Sequence, residues 1–291
     1  MKTEQENRSV LITGTSTGLG RATARLLDKT GFRVFAGVRR MQDGDVLRKS
    51  ASGKLTPVLL DVNDEAAITR VKDEITEAVG GNGLWGLVNN AGISFRAPLE
   101  FVPLSEFRKL FDSNLFGLLA ITQAFLPLLR QAQGRIINIS SLTSMMYSPF
   151  HGTYSCAKMA VNGLTNTLRL EVKPFGVQVA LMIYGGIQTE LWDRIDRQTT
   201  EIAEHYPPEF MELYAARQKK ALEYFSSRGR KGLLPETAAQ PIIHALTVKH
   251  PRRTYFAGSD AKFYNLLDKV LYGRLRDRVV LKTIGLESRS G

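Results

Sequence analysis

Short apolar runs alternate along the chain with longer segments whose apolar residues recur every three or four positions. The apolar runs occupy, in order, 9–13, 32–38, 58–60, 84–88, 135–139 and 177–183. Helical spacing of apolar residues covers 19–27, 65–79 and about 103–130. Strands that alternate with helices in this way predict a mostly parallel α/β sheet with helices on both of its faces.

This rhythm changes after the sixth predicted strand. Residues 190–232 are charged and rich in aromatic side chains at helical spacing, which predicts a helical insert that covers the substrate as a lid. Residues 259–291 predict a helical C-terminal extension. Because no repeat, low-complexity tract or linker interrupts the chain, we expect residues 1–291 to form a single domain.

The charge of the chain is positive, with 39 Lys and Arg against 28 Asp and Glu, a net of +11. The excess is densest in 249–291, where ten basic and four acidic residues give +6. The same segment carries apolar residues at helical spacing: Phe263, Leu266, Leu267, Val270, Leu271 and Leu275. We favour a C-terminal helix packed on the protein, with a peripheral membrane contact as the alternative. No nucleic-acid-binding motif is present, so we predict no nucleic-acid partner, and we predict no metal site.

Cysteine content and the polar start of the chain suggest a reducing compartment. Cys156 is the single cysteine, which excludes an internal disulfide. The first nine residues are polar and lack the apolar region of a signal peptide. No uncharged apolar run approaches the ~20 residues that a membrane-spanning helix needs. We therefore expect a cytoplasmic protein without a transmembrane segment.

A glycine-rich turn joins the first strand to the first helix. Residues 14–20 read Gly-Thr-Ser-Thr-Gly-Leu-Gly, and glycines between a strand and a helix let backbone N–H groups approach a pyrophosphate. Near the end of the second strand, where an acid would hold the ribose of NAD, stand Arg39 and Arg40. Two guanidiniums suit a 2′-phosphate, so we predict NADP(H) over NAD(H).

A second chemical signal lies farther along the chain. Tyr154 and Lys158 are four residues apart, and on a helix they share one face. An ammonium beside a phenol favours the phenolate, so we expect Lys158 to lower the pKa of Tyr154 towards neutrality. A tyrosine with such a pKa can serve as the general acid and base when an alcohol and a carbonyl interconvert. Ser141 stands thirteen residues before Tyr154.

Together these segments resemble the short-chain dehydrogenase/reductase family over most of the chain. Five family motifs occur in order: TGxxxGxG at 13–20, NNAG at 89–92, the asparagine at Asn114, the serine at Ser141, and YxxxK at 154–158. Finer resemblance is to the retinol and hydroxysteroid dehydrogenase branch, in residues 83–92, 244–247, 250–255 and 260–263. The resemblance implies a single Rossmann-type, doubly wound sheet of about seven strands in the order 3-2-1-4-5-6-7.

The resemblance also implies roles for individual residues. Tyr154 exchanges the proton, Lys158 holds the nicotinamide ribose, Ser141 binds the substrate oxygen and Asn114 orders a proton-relay water. The implied cofactor-binding residues are Gly14, Ser16, Thr17, Gly18, Leu19, Gly20, Arg39, Arg40, Asp61, Val62, Asn89, Ala91, Gly92, Tyr154, Lys158, Gly185, Ile187 and Thr189. The expected substrate-binding residues are Ser141, Met146, Tyr154, Tyr184 and Trp192. A homodimer or homotetramer is the expected assembly.

Two positions depart from the family pattern. Thr17 stands where many NADP(H) enzymes have a basic residue, and Tyr184 replaces a proline that usually precedes Gly185. Since proline fixes φ and lacks an N–H, its replacement either alters how the nicotinamide pocket closes or puts a phenol near the substrate.

The sequence therefore predicts an NADP(H)-dependent oxidoreductase that interconverts a carbonyl and an alcohol on a bulky hydrophobic substrate. Steroid-like, retinoid-like and long-chain substrates remain open. One alternative is a ketoreductase of acyl or polyketide intermediates, and another is a non-catalytic protein that senses a dinucleotide.

Overall fold

A computed structural model of the chain describes residues 8–267 and 273–286. Seven parallel strands form one sheet in the order β3-β2-β1-β4-β5-β6-β7. The strands are β1 Ser9–Ile12, β2 Arg33–Val38, β3 Leu55–Leu59, β4 Gly86–Asn89, β5 Arg135–Ser141, β6 Gln178–Tyr184 and β7 Thr254–Ala257. The predicted α/β sheet and its strand order are confirmed.

Helices connect the strands and cover the sheet. They are α1 Gly18–Lys29, α2 Met41–Arg48, α3 Glu65–Val79, α4 Leu104–Phe111, α5 Gly117–Gln131, α6 Gly152–Glu171, α7 Leu191–Ala203, α8 Pro208–Phe210, α9 Ala216–Arg230, α10 Pro235–Thr247, α11 Ser259–Leu267 and α12 Gly273–Ile284. Helices α1 and α10 pack on one apolar face of the sheet, and α3 and α5 pack on the other. Helices on both faces give the doubly wound arrangement of a Rossmann-type fold.

The strand order reverses between β1 and β4, which pair side by side although β2 and β3 separate them in the chain. Loops from these neighbouring strands leave the sheet at its carboxyl edge. In open parallel sheets this is where ligands bind. The glycine-rich turn after β1 and the residues after β4 therefore meet at the expected place for a dinucleotide.

One long helical segment crosses the face of the sheet between β4 and β5. It is α-helical over Leu104–Phe111 and Gly117–Gln131, with a π-helical turn over Asp112–Phe116 between them. By length and hydropathy alone, Leu104–Gln131 is the one described helical segment that could cross a membrane, and half of its most apolar window is buried inside the protein. Its apolar side chains, among them Ile121 and Phe125, fill the core beside β4.

The predicted insert is helical and contains α7, α8 and α9. The described C-terminal residues are also helical. Ile284 and Leu286 pack against Phe150 and Ala221, which agrees with the favoured packed helix. Phe263, Leu266 and Leu275 are exposed. Val270 and Leu271, which the sequence assigns to the same apolar face, lie outside the described residues.

Candidate active site

The glycine-rich turn is fixed by close backbone approaches. Gly14 and Gly18 have φ values of +69° and +55°, a conformation that favours glycine. A Cβ on Gly20 would lie 2.2 Å from the carbonyl oxygen of Gly14, so only glycine fits this first turn of α1. The side-chain amide of Asn90 donates to the carbonyls of Thr13 and Gly14, both at 2.9 Å. These contacts tie the turn to the end of β4.

A single cavity runs from this turn to the start of α6. Most residues expected to bind cofactor or substrate line it: Gly14, Ser16, Thr17, Gly18, Leu19, Gly20, Arg39, Asp61, Val62, Ala91, Gly92, Ser141, Tyr154, Lys158, Tyr184, Gly185, Ile187, Thr189 and Trp192. The cavity therefore brings the glycine-rich turn and the Tyr154–Lys158 pair into one site.

Three of the residues expected to bind cofactor or substrate, Arg40, Asn89 and Met146, do not line this cavity, and neither does the predicted catalytic residue Asn114. The Arg40 guanidinium turns to the carboxylate of Asp43, 3.3 Å away on the first turn of α2. Asn89 is buried, and its amide donates to Thr122 and Asn138, because its side chain leaves β4 towards the helices. Neither side chain faces the cavity in this structure, and their assignment to the cofactor stays a prediction. Asn90, which the sequence analysis passed over, lies in the cavity wall instead.

Met146 also lies elsewhere. The chain turns through a short 3₁₀ segment at Leu142–Ser144, which carries Met146 away from Ser141 towards the C-terminal helices. There it lines a small apolar pocket with side chains such as Tyr264 and Val280. Met146 therefore does not line the cavity that contains Tyr154, and its assignment to the substrate stays a prediction.

Asn114 stands in the π-helical turn and is only 1% exposed. Its amide oxygen accepts from the N–H of Ile93 at 2.8 Å, and its amide nitrogen donates to the carbonyl of Ile93 at 2.9 Å. One N–H and one acceptor position of the amide remain, the groups that an ordered water needs. A Cβ on Gly92 would lie 2.8 Å from Asn114 Oδ1 and 3.9 Å from Lys158 Nζ, so these groups converge around Gly92.

Ser141, Tyr154 and Lys158 meet where β5 ends and α6 begins. The Ser141 hydroxyl accepts from the N–H and hydroxyl of Thr143, at 3.2 and 3.1 Å, and it is near enough to the Tyr154 phenol to lower the pKa of that phenol in part. Lys158 is buried, and its ammonium donates to the carbonyl of Ile139 at 2.9 Å. Burial lowers the pKa of Lys158 to about 8, so the side chain is mostly cationic at neutral pH.

The protonation of Tyr154 differs from the prediction made from the sequence. Burial raises the pKa of its phenol to about 12, although the Ser141 hydrogen bond and the charge of Arg96 lower it in part. Lys158 Nζ lies 5.7 Å from the centre of the Tyr154 ring and is held by Ile139. The expectation that Lys158 brings this pKa near neutrality is wrong for the protein alone, because desolvation outweighs the distant charge. Tyr154 is a protonated phenol at neutral pH.

Tyr184 does not present its phenol to substrate. The side chain is buried, and its hydroxyl donates to the carbonyl of Ala238 in α10 at 2.7 Å. The ring packs in the core beneath β6. Of the two interpretations of this departure from the family pattern, the phenol near the substrate is wrong, because the hydroxyl lies on the α10 side of the strand.

We expect Tyr184→Phe to lower the free energy of unfolding by about 1–2 kcal/mol, because it removes one buried hydrogen bond. The rate of turnover should change by less than about threefold, since no reacting group is lost. Urea unfolding and steady-state kinetics on the same preparation check both statements. A large loss of turnover with unchanged stability would instead indicate that Tyr184 contacts the substrate.

Sequence reasoning missed two arginines in the cavity wall. Arg96 follows β4 and Arg194 lies in α7. The Arg194 guanidinium donates to the hydroxyl of Thr17 at 2.8 Å, so it spans from the insert to the glycine-rich turn. Neither residue belongs to a local motif. Their positions follow from the fold, and no spacing along the chain could have revealed them.

His151 precedes α6 and contacts Arg96. Its Nε2 accepts from Arg96 Nε at 3.0 Å, which makes Nδ1 the protonated nitrogen, and Nδ1 lies 3.1 Å from the Ser148 hydroxyl. The tautomer follows from this contact, because an arginine can only donate. Burial and the Arg96 charge hold the pKa of His151 well below its ordinary value. His151 is thus a neutral acceptor that orients Arg96.

This depressed pKa makes stability depend on pH. Below about pH 6.5 the unfolded state binds a proton at His151 that the folded state does not, so stability falls as the pH decreases. The loss from this group is up to about 1.4 kcal/mol per pH unit below its unfolded pKa. In urea unfolding at about pH 5 and about pH 8, His151→Gln should show a smaller loss than the wild type. Equal losses would contradict the neutral, buried histidine.

The chain belongs to the short-chain dehydrogenase/reductase family of oxidoreductases, whose short chain dehydrogenase model matches residues 8–200. It is 36% identical to retinol dehydrogenase 7 of Rattus norvegicus, over 94% of this chain and 88% of the relative. It is 34% identical to 17-beta-hydroxysteroid dehydrogenase type 6 of Bos taurus, over 96% and 89%. A short-chain dehydrogenase from Streptomyces avermitilis superposes with a TM-score of 0.74 at 26% identity, covering 94% of this chain and 95% of that one.

These comparisons confirm the family and the retinol and hydroxysteroid dehydrogenase branch that the sequence resembles. Enzymes of this family bind a nicotinamide dinucleotide. The glycine-rich turn, the crevice between β1 and β4 and the Tyr154–Lys158 pair are the parts of this chain that fit such a group.

Proposed function

We propose that the protein is an NADP(H)-dependent oxidoreductase that interconverts a carbonyl and an alcohol on a bulky hydrophobic molecule. One observation carries the proposal: Ser141, Tyr154 and Lys158 share a cavity with the glycine-rich turn. A dinucleotide along this cavity would lie with its phosphates at the turn and its nicotinamide near Tyr154. That arrangement puts a proton donor where a carbonyl would accept a hydride.

The preference for NADP(H) rests on two guanidiniums. Arg39 lines the cavity at the end of β2, and Arg194 reaches the same region through its hydrogen bond to Thr17. Burial and, to a smaller extent, the charge of Arg39 lower the pKa of Arg194, which indicates that the two cations are near each other. Two neighbouring guanidiniums favour an added phosphate group. Arg194 also supplies a positive charge at Thr17, where the sequence lacks the usual basic residue.

The nicotinamide, when bound, supplies the hydride, and the side chains manage the proton and the charge. In reduction, Tyr154 donates its phenolic proton to the substrate oxygen, and in oxidation it accepts that proton back. Ser141 donates a second hydrogen bond to the same oxygen. The Lys158 ammonium, held by Ile139, favours the phenolate that remains on Tyr154 after transfer.

The side chains at the substrate end of the cavity favour an apolar substrate. Trp192 and Ile195 of α7 and Ile93 after β4 line it. Trp192 is held in place because its indole N–H donates to the carbonyl of Ile187 at 2.7 Å. The named activities of the two mammalian relatives, on retinol and on a hydroxysteroid, support an apolar alcohol or ketone as the substrate.

The proposal is tested by following nicotinamide absorbance with NADPH and NADH in parallel. The panel contains steroid ketones, retinal, long-chain ketones and an acetoacetyl thioester. We expect oxidation of NADPH to exceed that of NADH with at least one bulky apolar carbonyl. Turnover of the thioester alone would favour the ketoreductase alternative. Tight NADPH binding without turnover on the whole panel would indicate a dinucleotide sensor.

A further inference from the structure

Arg96 is the largest side chain of the protein that is fully buried among the described residues, with 1% of its surface exposed. It follows β4 and lies in the wall of the cavity that contains Tyr154. Burial raises the pKa of the Tyr154 phenol and the charge of Arg96 partly opposes that rise, so the guanidinium is near the reacting end of the cavity. The proposed mechanism does not use this cation.

Among the described residues, the Arg96 guanidinium has no anionic hydrogen-bond partner. Within residues 8–267 and 273–286, the one hydrogen bond from its side chain goes from Nε to the neutral His151, and Nη1 is buried without a partner. The carboxylate that acts on it most through space is Asp196, but Asp196 already accepts from Ser226 and Arg230. The pKa of Arg96 is lowered by burial to about 10, so at neutral pH the side chain remains charged.

An unpaired buried charge is strongly destabilising unless a partner compensates it. Natural proteins keep such groups mainly at functional sites. A neutral ligand oxygen would satisfy one N–H group and leave the charge uncompensated. A carboxylate would satisfy the hydrogen bonds and neutralise the charge together, and its planar geometry matches the guanidinium.

The surroundings of Arg96 hold it in one orientation. The guanidinium carbon lies 5.4 Å from the ring centre of Trp192 and 5.4 Å from that of Phe225. Trp192 is anchored to Ile187, and Phe225 packs edge-on against the His151 ring with centroids 4.1 Å apart. His151 follows Phe150, whose φ of +67° is strained for a residue other than glycine. A rigid cation beside two aromatic rings suits an anion that is attached to an apolar body.

We propose that Arg96 binds a carboxylate of the substrate, so that the protein acts on apolar oxo or hydroxy acids in preference to neutral ketones and alcohols. This inference rests on the proposed function, because it names the substrate class of the same site. The ketone or alcohol lies at Ser141 and Tyr154. The carboxylate lies at Arg96, and the hydrocarbon chain contacts Trp192 and Ile195.

The first test uses a set of oxostearic acids that differ in the position of the ketone. Each acid is compared with its own methyl ester. Binding is measured by calorimetry in the presence of NADP⁺, which occupies the cofactor end of the cavity without reducing the ketone. For at least one isomer, we expect the acid to bind the wild type about 10- to 100-fold more tightly than its ester, as charge-assisted hydrogen bonds suggest. This comparison needs no variant. Equal binding of every acid and its ester would overturn the proposal.

The second test uses Arg96→Met, which removes the charge but keeps an apolar side chain of similar length, and Arg96→Lys, which keeps the charge. We expect Arg96→Met to lose the preference for the acid and to bind the ester as the wild type does. Arg96→Lys should retain part of the preference. Equal weakening of acid and ester in both variants, or an unchanged preference in Arg96→Met, would contradict the assigned role.

Turnover of the same compounds with NADPH distinguishes failure of the proposed oxidoreductase function from failure of the proposed carboxylate site. If the acids bind through Arg96 but no isomer is reduced, the carboxylate site stands and the proposed oxidoreductase function fails. If acids and esters are reduced with equal kcat/KM, the oxidoreductase function stands and the carboxylate site fails.

Discussion

Replacing Tyr154 with phenylalanine is expected to lower kcat for carbonyl reduction by about 10²- to 10⁴-fold, the contribution usual for a well-placed general acid. The substitution removes one hydroxyl and leaves the ring that packs in the cavity wall. Because the pKa of the phenol is about 12, the wild-type side chain carries its proton at neutral pH. The reduction rate should therefore not depend on deprotonation of Tyr154 in the neutral range.

The control for this variant is Tyr184→Phe, which removes a phenolic hydroxyl that donates to Ala238 on the other side of β6. NADPH binding, followed by the fluorescence of the nicotinamide, should be retained in both variants. If Tyr154→Phe kept full turnover while binding NADPH normally, the proton would have to come from another group and the assigned role would be wrong.

The second large effect is expected in the preference for NADPH over NADH. We expect Arg39→Asp to lower kcat/KM for NADPH by about 100-fold and to raise it for NADH, so that the preference reverses. The variant removes a guanidinium suited to a 2′-phosphate. It also introduces a carboxylate that can bind the free ribose hydroxyl of NADH and that repels the phosphate of NADPH. Steady-state kinetics with both cofactors measure the change.

Arg40→Asp is the matched control, because Arg40 has the same charge, is adjacent in the chain and does not line the cavity. It should leave the ratio of the two kcat/KM values within about threefold of the wild type. An equal effect of the two substitutions would show that general surface charge, and not a contact of Arg39, sets the preference. An unchanged cofactor preference in Arg39→Asp would show that Arg39 does not contact the 2′-phosphate and would contradict its assigned role.

Local patterns in the sequence predicted six of the seven strands, because each of the six contains a buried apolar run and parallel strands need helical connections. The seventh strand, Thr254–Ala257, and the strand order came from the family resemblance. One of the six predicted strands also differs in its bounds. Strand β3 begins at Leu55, three residues before the apolar run of the sequence, and contains Pro57. A proline is tolerated because β3 lies at the edge of the sheet and pairs only with β2. Edge position depends on the whole fold and is not visible in a local run.

Motif spacing along the sequence correctly identified residues that lie at the site. It did not predict in which direction each side chain points. The motif NNAG could not tell which asparagine reaches the cavity. The alternation of side chains along β4 buries Asn89 and leaves Asn90 at the glycine-rich turn. Tyr184 stands at the end of β6, where the same alternation of side chains directs its phenol to the carbonyl of Ala238. Such assignments require the register of the strands.

Electrostatics were the least predictable part of the site. The effect of Lys158 on Tyr154 was inferred from a spacing of four residues, but the pKa of Tyr154 depends mainly on burial, which the sequence does not give. The position of Arg96 against His151, Trp192 and Phe225 joins four separate segments of the chain. Only the folded protein identifies it as a buried cation.

The central claim is that the protein transfers a hydride from a nicotinamide to a carbonyl carbon, with Tyr154 supplying the proton. The most direct test uses NADPH deuterated at the reactive carbon of the nicotinamide, with a mixture of steroid ketones, retinal, long-chain ketones and oxostearic acids. Mass spectrometry of the products should show an alcohol with one deuterium on the carbinol carbon, formed by the wild type and about 10²- to 10⁴-fold more slowly by Tyr154→Phe. Absence of any deuterated alcohol from wild-type protein that binds NADPH would contradict the account.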